Sequence, residues 1–331
     1  MQERAELIRK IKTANQNNFD RIALQLFIYQ YKYNPIYKQY CDYLNTDIQS
    51  VNKIEKIPYL PIQFFKKYVI QAADFKPQIV FESSKTTGQI SSKHYVKDLS
   101  LYHQLALRSY KSFFNQPFVL FALLPSYLER DNSSLVSMVQ YFIEQSQMPM
   151  SGFYLNEYGL LHEKIKSCQK QNLKILLLGV SFALLDFAEK FKVNYHGLHV
   201  METGGMKGRR EELTKQQLHN QLKQLYQVEN VYSEYGMTEL LSQAYSLADG
   251  LFTPSSTMKV IVKEFNDPFQ LESFGKRGVL NIIDLVNIDS CAFIATEDIG
   301  RMYPNGKFEI LGRLDASEIR GCNLMFDQLK I

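Results

Sequence analysis

The stretch VFESSKTTGQISSKHYV places Ser83, Ser84, Lys85, Thr86, Thr87 and Gly88 together between two apolar runs. That composition suits a phosphate. Hydroxyls donate hydrogen bonds, glycine lets the backbone come close, and a lysine adds positive charge. The loop joins two β runs instead of opening a helix, which excludes the Walker pattern. A solvated hairpin loop has the same composition, so both readings stand on these residues alone. Three further stretches carry groups of chemical interest: METGGMKG with Gly204 and Gly205, VYSEYGMTE with Tyr235, Gly236, Thr238 and Glu239, and ATEDIG followed by GRLDASEIRG with Asp298 and Arg313. Taken singly, Glu239 reads as a solvated or capping acid, the glycine pair as a strand-to-loop turn, Asp298 as a turn aspartate and Arg313 as a surface ion pair. His94, just after the hydroxyl loop, reads either as a group lining an acyl or phosphate site or as a satisfied strand histidine. Lys93 reads as solvated, and the run from Leu128 to Asn132 as a polar loop.

The elements that must hold these groups are legible from periodicity. RIALQLFIYQYKYNPIYKQYCDYL has helical apolar spacing broken at Pro35, and Pro58 and Pro61 punctuate KIPYLPIQFFKKYVI. PQIVFESS and SKHYV read as strands. DLSLYHQLALRSYKSFF reads as a helix capped by Asp98 or Ser100. Buried strands PFVLFALLPS, LKILLLGVS and YHGLHVMETGG then alternate with helices SSLVSMVQYFIEQS, FALLDFAEKF and LTKQQLHNQLKQLY. This alternation indicates α/β architecture with parallel strands in the middle. From about Pro254, MKVIVKEF, RGVLNIIDL, CAFIATEDIG and KFEILGRLD are short β runs. The expected organisation is a helical cap over 1–75, an α/β core over 76–253 and a β-rich subdomain over 254–331.

The chain has 331 residues, 45% hydrophobic and 22% charged, with a formal net charge of +4. These are ordinary globular values, and the mild charge argues against nucleic acid or anionic membrane as a partner. Cys41, Cys168, Cys291 and Cys322 are far apart with no CxxC pair, which argues against a zinc site or a disulfide framework and suits a reducing cytoplasm. The charged start has no signal-peptide core, and no apolar run reaches the ~18 residues of a membrane span.

In this order, the hydroxyl loop, METGGMKG, YGMTE, TEDIG and GRLD resemble the adenylate-forming superfamily of acyl- and aryl-CoA ligases, adenylation domains and luciferases. The compact length, FALLPSYLERDNSSL and METGGMKG are most similar to the acyl-protein synthetases of bacterial bioluminescence, with phenylacetate-CoA ligase more distant. The resemblance covers most of residues 55–325. It implies the large N-terminal domain of that fold: an α/β domain of mixed sheets flanked by helices, with the β-rich subdomain at its C-terminal end. It implies ATP-dependent activation of a fatty or aryl carboxylic acid as acyl-adenylate, with pyrophosphate released and the acyl group passed to a thiol. Ser83, Ser84, Thr86, Thr87 and Gly88 would hold the β- and γ-phosphates. Lys85 stands where the family has glycine, either adding a phosphate contact or stiffening a loop that must flex. Tyr235, next to Gly236, would stack on the adenine, bordered by Gly204 and Gly205. Thr238 would donate to the α-phosphate, Glu239 would hold Mg²⁺, and Asp298 and Arg313 would fix the ribose. The implied cofactors are ATP or AMP and Mg²⁺, with CoA as an alternative acceptor. GRLD marks the family's hinge, and the small domain that follows it, with its catalytic lysine, is expected to be absent here, Lys330 being the tail's only lysine. The partners implied are a small-molecule carboxylic acid and an acyl carrier, a reductase or a separate partner resembling the C-terminal domain. Cys322 is a candidate acyl acceptor, with an inert thiol as the alternative. Two other readings keep the fold: a nucleotide-binding or interaction protein of weak or lost turnover, and a plain CoA ligase.

Overall fold

The computed structural model describes residues 2–84, 90–125, 132–191, 197–204 and 213–314. The chain forms two compact units: residues 1–105, 238–242 and 254–331 in the first, and 106–237 and 243–253 in the second. Lys85, Thr86, Thr87 and Gly88 of the hydroxyl loop, Gly205, Cys322 and Lys330 lie outside the described residues, as does most of the run from Leu128 to Asn132.

The first unit begins with α1 (Gln2–Ile11), α2 (Phe19–Tyr33) and α3 (Pro35–Tyr43). Pro35 ends the helical pattern as expected, because it sits at the first position of α3, where its missing N–H is no loss. Asn34 caps that helix through Oδ1, which accepts from the Tyr37 amide at 3.0 Å. A short strand β1 (Leu60–Pro61) and the turn of helix α4 (Phe64–Lys67) come next. The strands expected around the hydroxyl loop are β2 (Ile79–Glu82) and β3 (Lys93–Val96), an antiparallel pair with Glu82 opposite Lys93. Asp98 is the cap of α5 (Leu99–Phe113), accepting from the Leu101 amide at 2.9 Å.

In the second unit, β4 (Val119–Leu123), β5 (Gly152–Phe153), β6 (Ile175–Val180), β7 (Leu198–Thr203) and β8 (Val231–Tyr235) form a parallel sheet in the order β5-β4-β6-β7-β8. Every residue of β4 and β6 is buried, which is why those segments read as unbroken apolar runs. β9 (Ala244–Ser246) is added antiparallel to β8, with β10 (Leu251–Pro254) beside it. The helices are α6 (Ser134–Ser146), α7 (Tyr158–Lys170), α8 (Ser181–Lys190) and α9 (Lys215–Tyr226). α7 was not expected from the sequence. Its stripe is sparse, Leu161, Ile165 and Cys168, and Gly159 in its first turn weakens the helical signal.

The first unit is completed by the expected β runs: β11 (Met258–Lys263), β12 (Gly278–Asp284), β13 (Phe293–Met302) and β14 (Phe308–Arg313), antiparallel in that order, with β1 parallel to β13. The turn between β12 and β13 is gripped by the N-terminal helices. Buried Gln30 donates to the Asn287 carbonyl at 2.8 Å and accepts from the Ala292 amide at 2.8 Å. Asn34 donates to the Ser290 carbonyl at 3.0 Å, and Arg4 makes a two-pronged pair with Asp289 at 2.5 Å. That turn in turn fixes residues 238–242. Asp284 Oδ2 accepts from the amides of Leu241 and Ser242 at 2.7 and 2.8 Å. Its Oδ1 accepts from Ser242 Oγ at 2.6 Å and the Val286 amide at 3.0 Å. Asn287 Nδ2 donates to the Glu239 carbonyl at 2.8 Å. Asp284→Asn would turn an amide N–H₂ toward buried N–H donors. It is expected to lower stability by about 3 kcal/mol in chemical denaturation, whereas Asp20→Asn on the exposed face of α2 should change it by less than about 0.5 kcal/mol.

Candidate active site

Within the first unit, four candidate residues from distant stretches come together. Thr238 is tied to β3, its carbonyl accepting from His94 Nδ1 at 2.8 Å. A carbonyl only accepts, so the Nδ1 proton is fixed and Nε2 carries the lone pair. Burial pulls His94 down to about 4, which keeps the ring neutral. Phe65 meets it edge-on, with ring centroids 5.7 Å apart. The buried Nε2 has no hydrogen-bond partner among the described residues, and neither does Ser91 Oγ on the same stretch. Buried polar atoms are normally paired, so this cluster is suited to a polar ligand.

Glu239 follows Thr238 and is 6% exposed. Burial pushes its carboxyl up, and Ser92, Arg313 and Lys66 oppose that. Arg313 also pairs with Asp298, Nε to Oδ1 at 3.2 Å, and the two residues face each other across β13 and β14. Arg313 Nη2 lies 3.8 Å from Glu297, which accepts from Gln63 at 2.8 Å. The two expected ribose residues are therefore an ion pair. Upstream, Ser83 Oγ accepts from the Ser92 amide at 2.8 Å and so closes the β2–β3 ladder. Ser84 is exposed.

In the second unit, Gly204 follows β7 with φ of +69°, a conformation that favours glycine, and its carbonyl accepts from Ser181 Oγ at 3.0 Å. Tyr235 ends β8, 7% exposed, with the edge of Phe252 against its ring at 5.9 Å. A Cβ at Gly236 would lie 2.6 Å from Glu234 Oε1, so a side chain there would require the buried Glu234 carboxyl to move.

Behind these residues lies a buried ionic set that the sequence did not announce. Glu202, wholly buried, receives Lys215 Nζ at 2.6 Å and has His219 Nε2 at 3.4 Å. Burial alone would push Glu202 up, but the Lys215 charge and the His219 and Lys215 hydrogen bonds outweigh it and hold the carboxyl at about 2. Next to it in register, Glu234 accepts from Thr203 Oγ1 at 2.5 Å. Burial raises it to about 7, the Glu202 charge adding to the shift. The alternation METGG and YSEYG carries these acids, but their pairing depends on parallel register and on α9.

No group of three or more His, Cys, Asp and Glu suited to a metal occurs among the described residues. A lone buried carboxylate fits a Mg²⁺ that arrives with phosphates, since that ion takes one or two carboxylates and fills the rest with phosphate oxygens and water. Cys41, Cys168 and Cys291 are buried and unpaired. Burial raises Cys41 to about 12 and Cys168 and Cys291 upward, so none of the three is an activated nucleophile.

The Glu234 shift has a sign that can be measured. Its folded value of about 7 lies above the ordinary 4.5, so its contribution is complete below pH 4.5 and is lost as pH rises to about 7. Glu234→Gln keeps an acceptor for Thr203 and cannot ionise. The variant is expected to lack that loss and to be more stable than the parent above pH 7, by about 3 kcal/mol, in denaturation curves at pH 5 and 8. A parallel pH dependence in both proteins would refute the shift.

Among solved structures, the chain is similar to 2-hydroxyisobutyryl-CoA ligase in an open conformation with 2-HIB-AMP and CoA, at 13% identity and a TM-score of 0.68 over 93% of this chain and 78% of that one. The same ligase in the postadenylation state with 2-HIB-AMP gives 12% identity and a TM-score of 0.68, over 93% and 70%. ATP-bound MatB from Rhodopseudomonas palustris gives 14% identity and a TM-score of 0.53, over 73% of this chain and 48% of that one. At these identities the likeness is one of fold, and the fold is that of the adenylate-forming enzymes. A comparison with curated proteins gives no match. The sequence profile described as acyl-protein synthetase, LuxE, matches residues 9–330, and the chain belongs to that family of AMP-forming ligases.

Proposed function

We propose that this protein activates a hydrophobic carboxylic acid, fatty or aryl, as an acyl-adenylate and passes the acyl group to a thiol, either a protein cysteine or CoA. Family membership supports acid activation. The observation that carries the residue assignment is the convergence of Thr238, Glu239, Asp298 and Arg313 within one unit, beside the unpaired His94 Nε2.

In the first step a carboxylate oxygen attacks the α-phosphorus of ATP. The bond to the bridging oxygen breaks, and pyrophosphate leaves with the electron pair. The attack brings anionic oxygens together, so fixed donors must face them. The Thr238 hydroxyl is the proposed donor to the α-phosphate, on a backbone held by His94, Asn287 and Asp284. Mg²⁺, held by Glu239 and phosphate oxygens, would offset charge on the phosphates. The Asp298 carboxylate is the proposed acceptor for the ribose hydroxyls, with Arg313 holding it in place. Ser83, Ser84 and the rest of the hydroxyl loop are the proposed phosphate grip, and Tyr235, Gly236, Gly204 and Gly205 the proposed border of the adenine. His94, neutral and with its proton committed to a carbonyl, offers Nε2 only as an acceptor. In the second step the thiol sulfur attacks the acyl carbon, the bond to the phosphate oxygen breaks, and AMP leaves while the thiol proton passes to solvent.

Carboxylate-dependent ATP–pyrophosphate exchange across short aryl to long-chain acids tests this directly. Exchange is expected with one class of hydrophobic acid. Glu239→Gln should reduce it at least ~100-fold, and Asp298→Asn should raise the KM for ATP about 10-fold with a smaller effect on kcat. Nucleotide binding without exchange for any acid would overturn the proposal.

A further inference from the structure

A cavity of about 1130 Å³ opens in the first unit, and Thr238, Glu239, Asp298 and Arg313 are not among its described lining. Its floor is one face of the β11–β12–β13 sheet, where Val279 and Ile299 stand directly opposite each other, and its wall includes Pro58 and Tyr59. Besides Thr296 and Glu297 of β13, which also line the cavity, two polar side chains stand on this floor. Asn281 is 2% exposed and its side-chain amide makes no hydrogen bond among the described residues. Lys263 is 3% exposed, and its ammonium donates to the carbonyls of Glu55 at 3.1 Å and Phe269 at 3.0 Å. An ammonium has three donors, so one remains. Burial pulls the Lys263 ammonium down, and the carboxylates of Glu55 and Asp267 oppose that through their charge. Lys263 faces Val279 across the strands and Asn281 is two residues further along, which puts the two groups on one cross-strand diagonal, about 7–8 Å apart at Cα.

The charges around the cavity decide the kind of ligand. Asp47, Glu55, Glu264 and Glu297 line it together with Lys56, Lys263 and Arg277. Four acids against three bases give no positive field to draw in an anion. The floor nevertheless presents two donors without their full complement of acceptors, in an apolar trough with room for a chain. Orphaned donors in a concave apolar site fix the orientation of a ligand that carries the acceptor.

We propose that this cavity binds a neutral acyl derivative, its hydrocarbon chain along the Val279 and Ile299 face and its carbonyl oxygen accepting from Lys263 Nζ and Asn281 Nδ2. An acyl amide and an acyl thioester share that chemistry. The cavity adjoins the proposed adenylation residues, since its lining Glu297 lies 3.8 Å from Arg313, but Thr238, Glu239, Asp298 and Arg313 do not themselves line it.

The test is calorimetric titration of the full chain with octanamide, S-octanoyl-N-acetylcysteamine and octanoate. Both neutral ligands are expected to bind at one site, with octanoate at least ~10-fold weaker. Asn281→Leu keeps the volume and removes the donor, and should weaken both neutral ligands about 10-fold. Val279→Trp fills the trough and should abolish their binding, while ATP affinity stays within about 2-fold of the parent, which reports an intact fold. Tighter binding of the thioester than of the amide names a thiol-borne acyl group as the occupant, and the reverse names an amide-linked one; either supports the site. Absence of heat with all three ligands, equal affinity for octanoate and octanamide, or unchanged binding in Val279→Trp would each overturn it.

Discussion

Residues 238–242 carry two candidate catalytic side chains on a loop with no ladder of its own, so the geometry of Thr238 and Glu239 depends on who satisfies that loop's backbone. Asp284 does most of it, accepting two of its amides and the Ser242 hydroxyl from one buried carboxylate. A carboxylate suits this because a charged acceptor can hold several donors at once, and each such bond is stronger than a neutral one. Burial pushes Asp284 up while those donors oppose it, so the same contacts that position the loop also keep the acid tolerable inside the protein. Asn287 completes the arrangement from the next turn of chain, and His94 holds it from β3.

The dependence extends outward. Asp284 and Asn287 stand at the start of the turn that Gln30, Asn34 and Arg4 grip from the N-terminal helices. Those helices bury an aromatic group in which Phe27, Tyr37 and Phe293 meet at 5.8–6.2 Å. Packing of this kind holds side chains in single rotamers, and amide side chains then bind backbone groups that no strand satisfies. The helical segment therefore acts on the candidate site through a relay of hydrogen bonds, while contributing none of the site's proposed ligands itself.

Much of the architecture could be read from the residues. The unbroken apolar runs of β4 and β6 signalled central parallel strands, and Pro35 marked its boundary, because in each case a local pattern has one physical cause. The families of short β runs after Pro254 were visible for the same reason. α7 was hidden because its stripe is sparse and a glycine lies in its first turn. The motif residues of the candidate site were found as types in an order, but the pairing of His94 with Thr238, 144 residues apart, depends on tertiary contact and leaves no periodic trace. The Glu202–Lys215–His219 set and the Asn281–Lys263 floor were equally invisible, since burial and register alone give those common residues their meaning.

Gln30 and Asn34 meet their partners only 257 and 256 residues further along the chain. During synthesis at about 5–20 residues per second, the N-terminal helices therefore wait tens of seconds before Asn287 and Ser290 exist to receive them. Over that interval the 106–253 stretch is nearly complete in sequence and can close around its own parallel sheet, whereas the first unit has both of its halves only after β14 has been made. The order of translation thus sets an order of maturation. The sheet of the second unit forms early, and the loop bearing Thr238 and Glu239, although already synthesised, acquires its Asp284 anchor late. The nascent protein would consequently carry a folded scaffold well before it carries an organised candidate site.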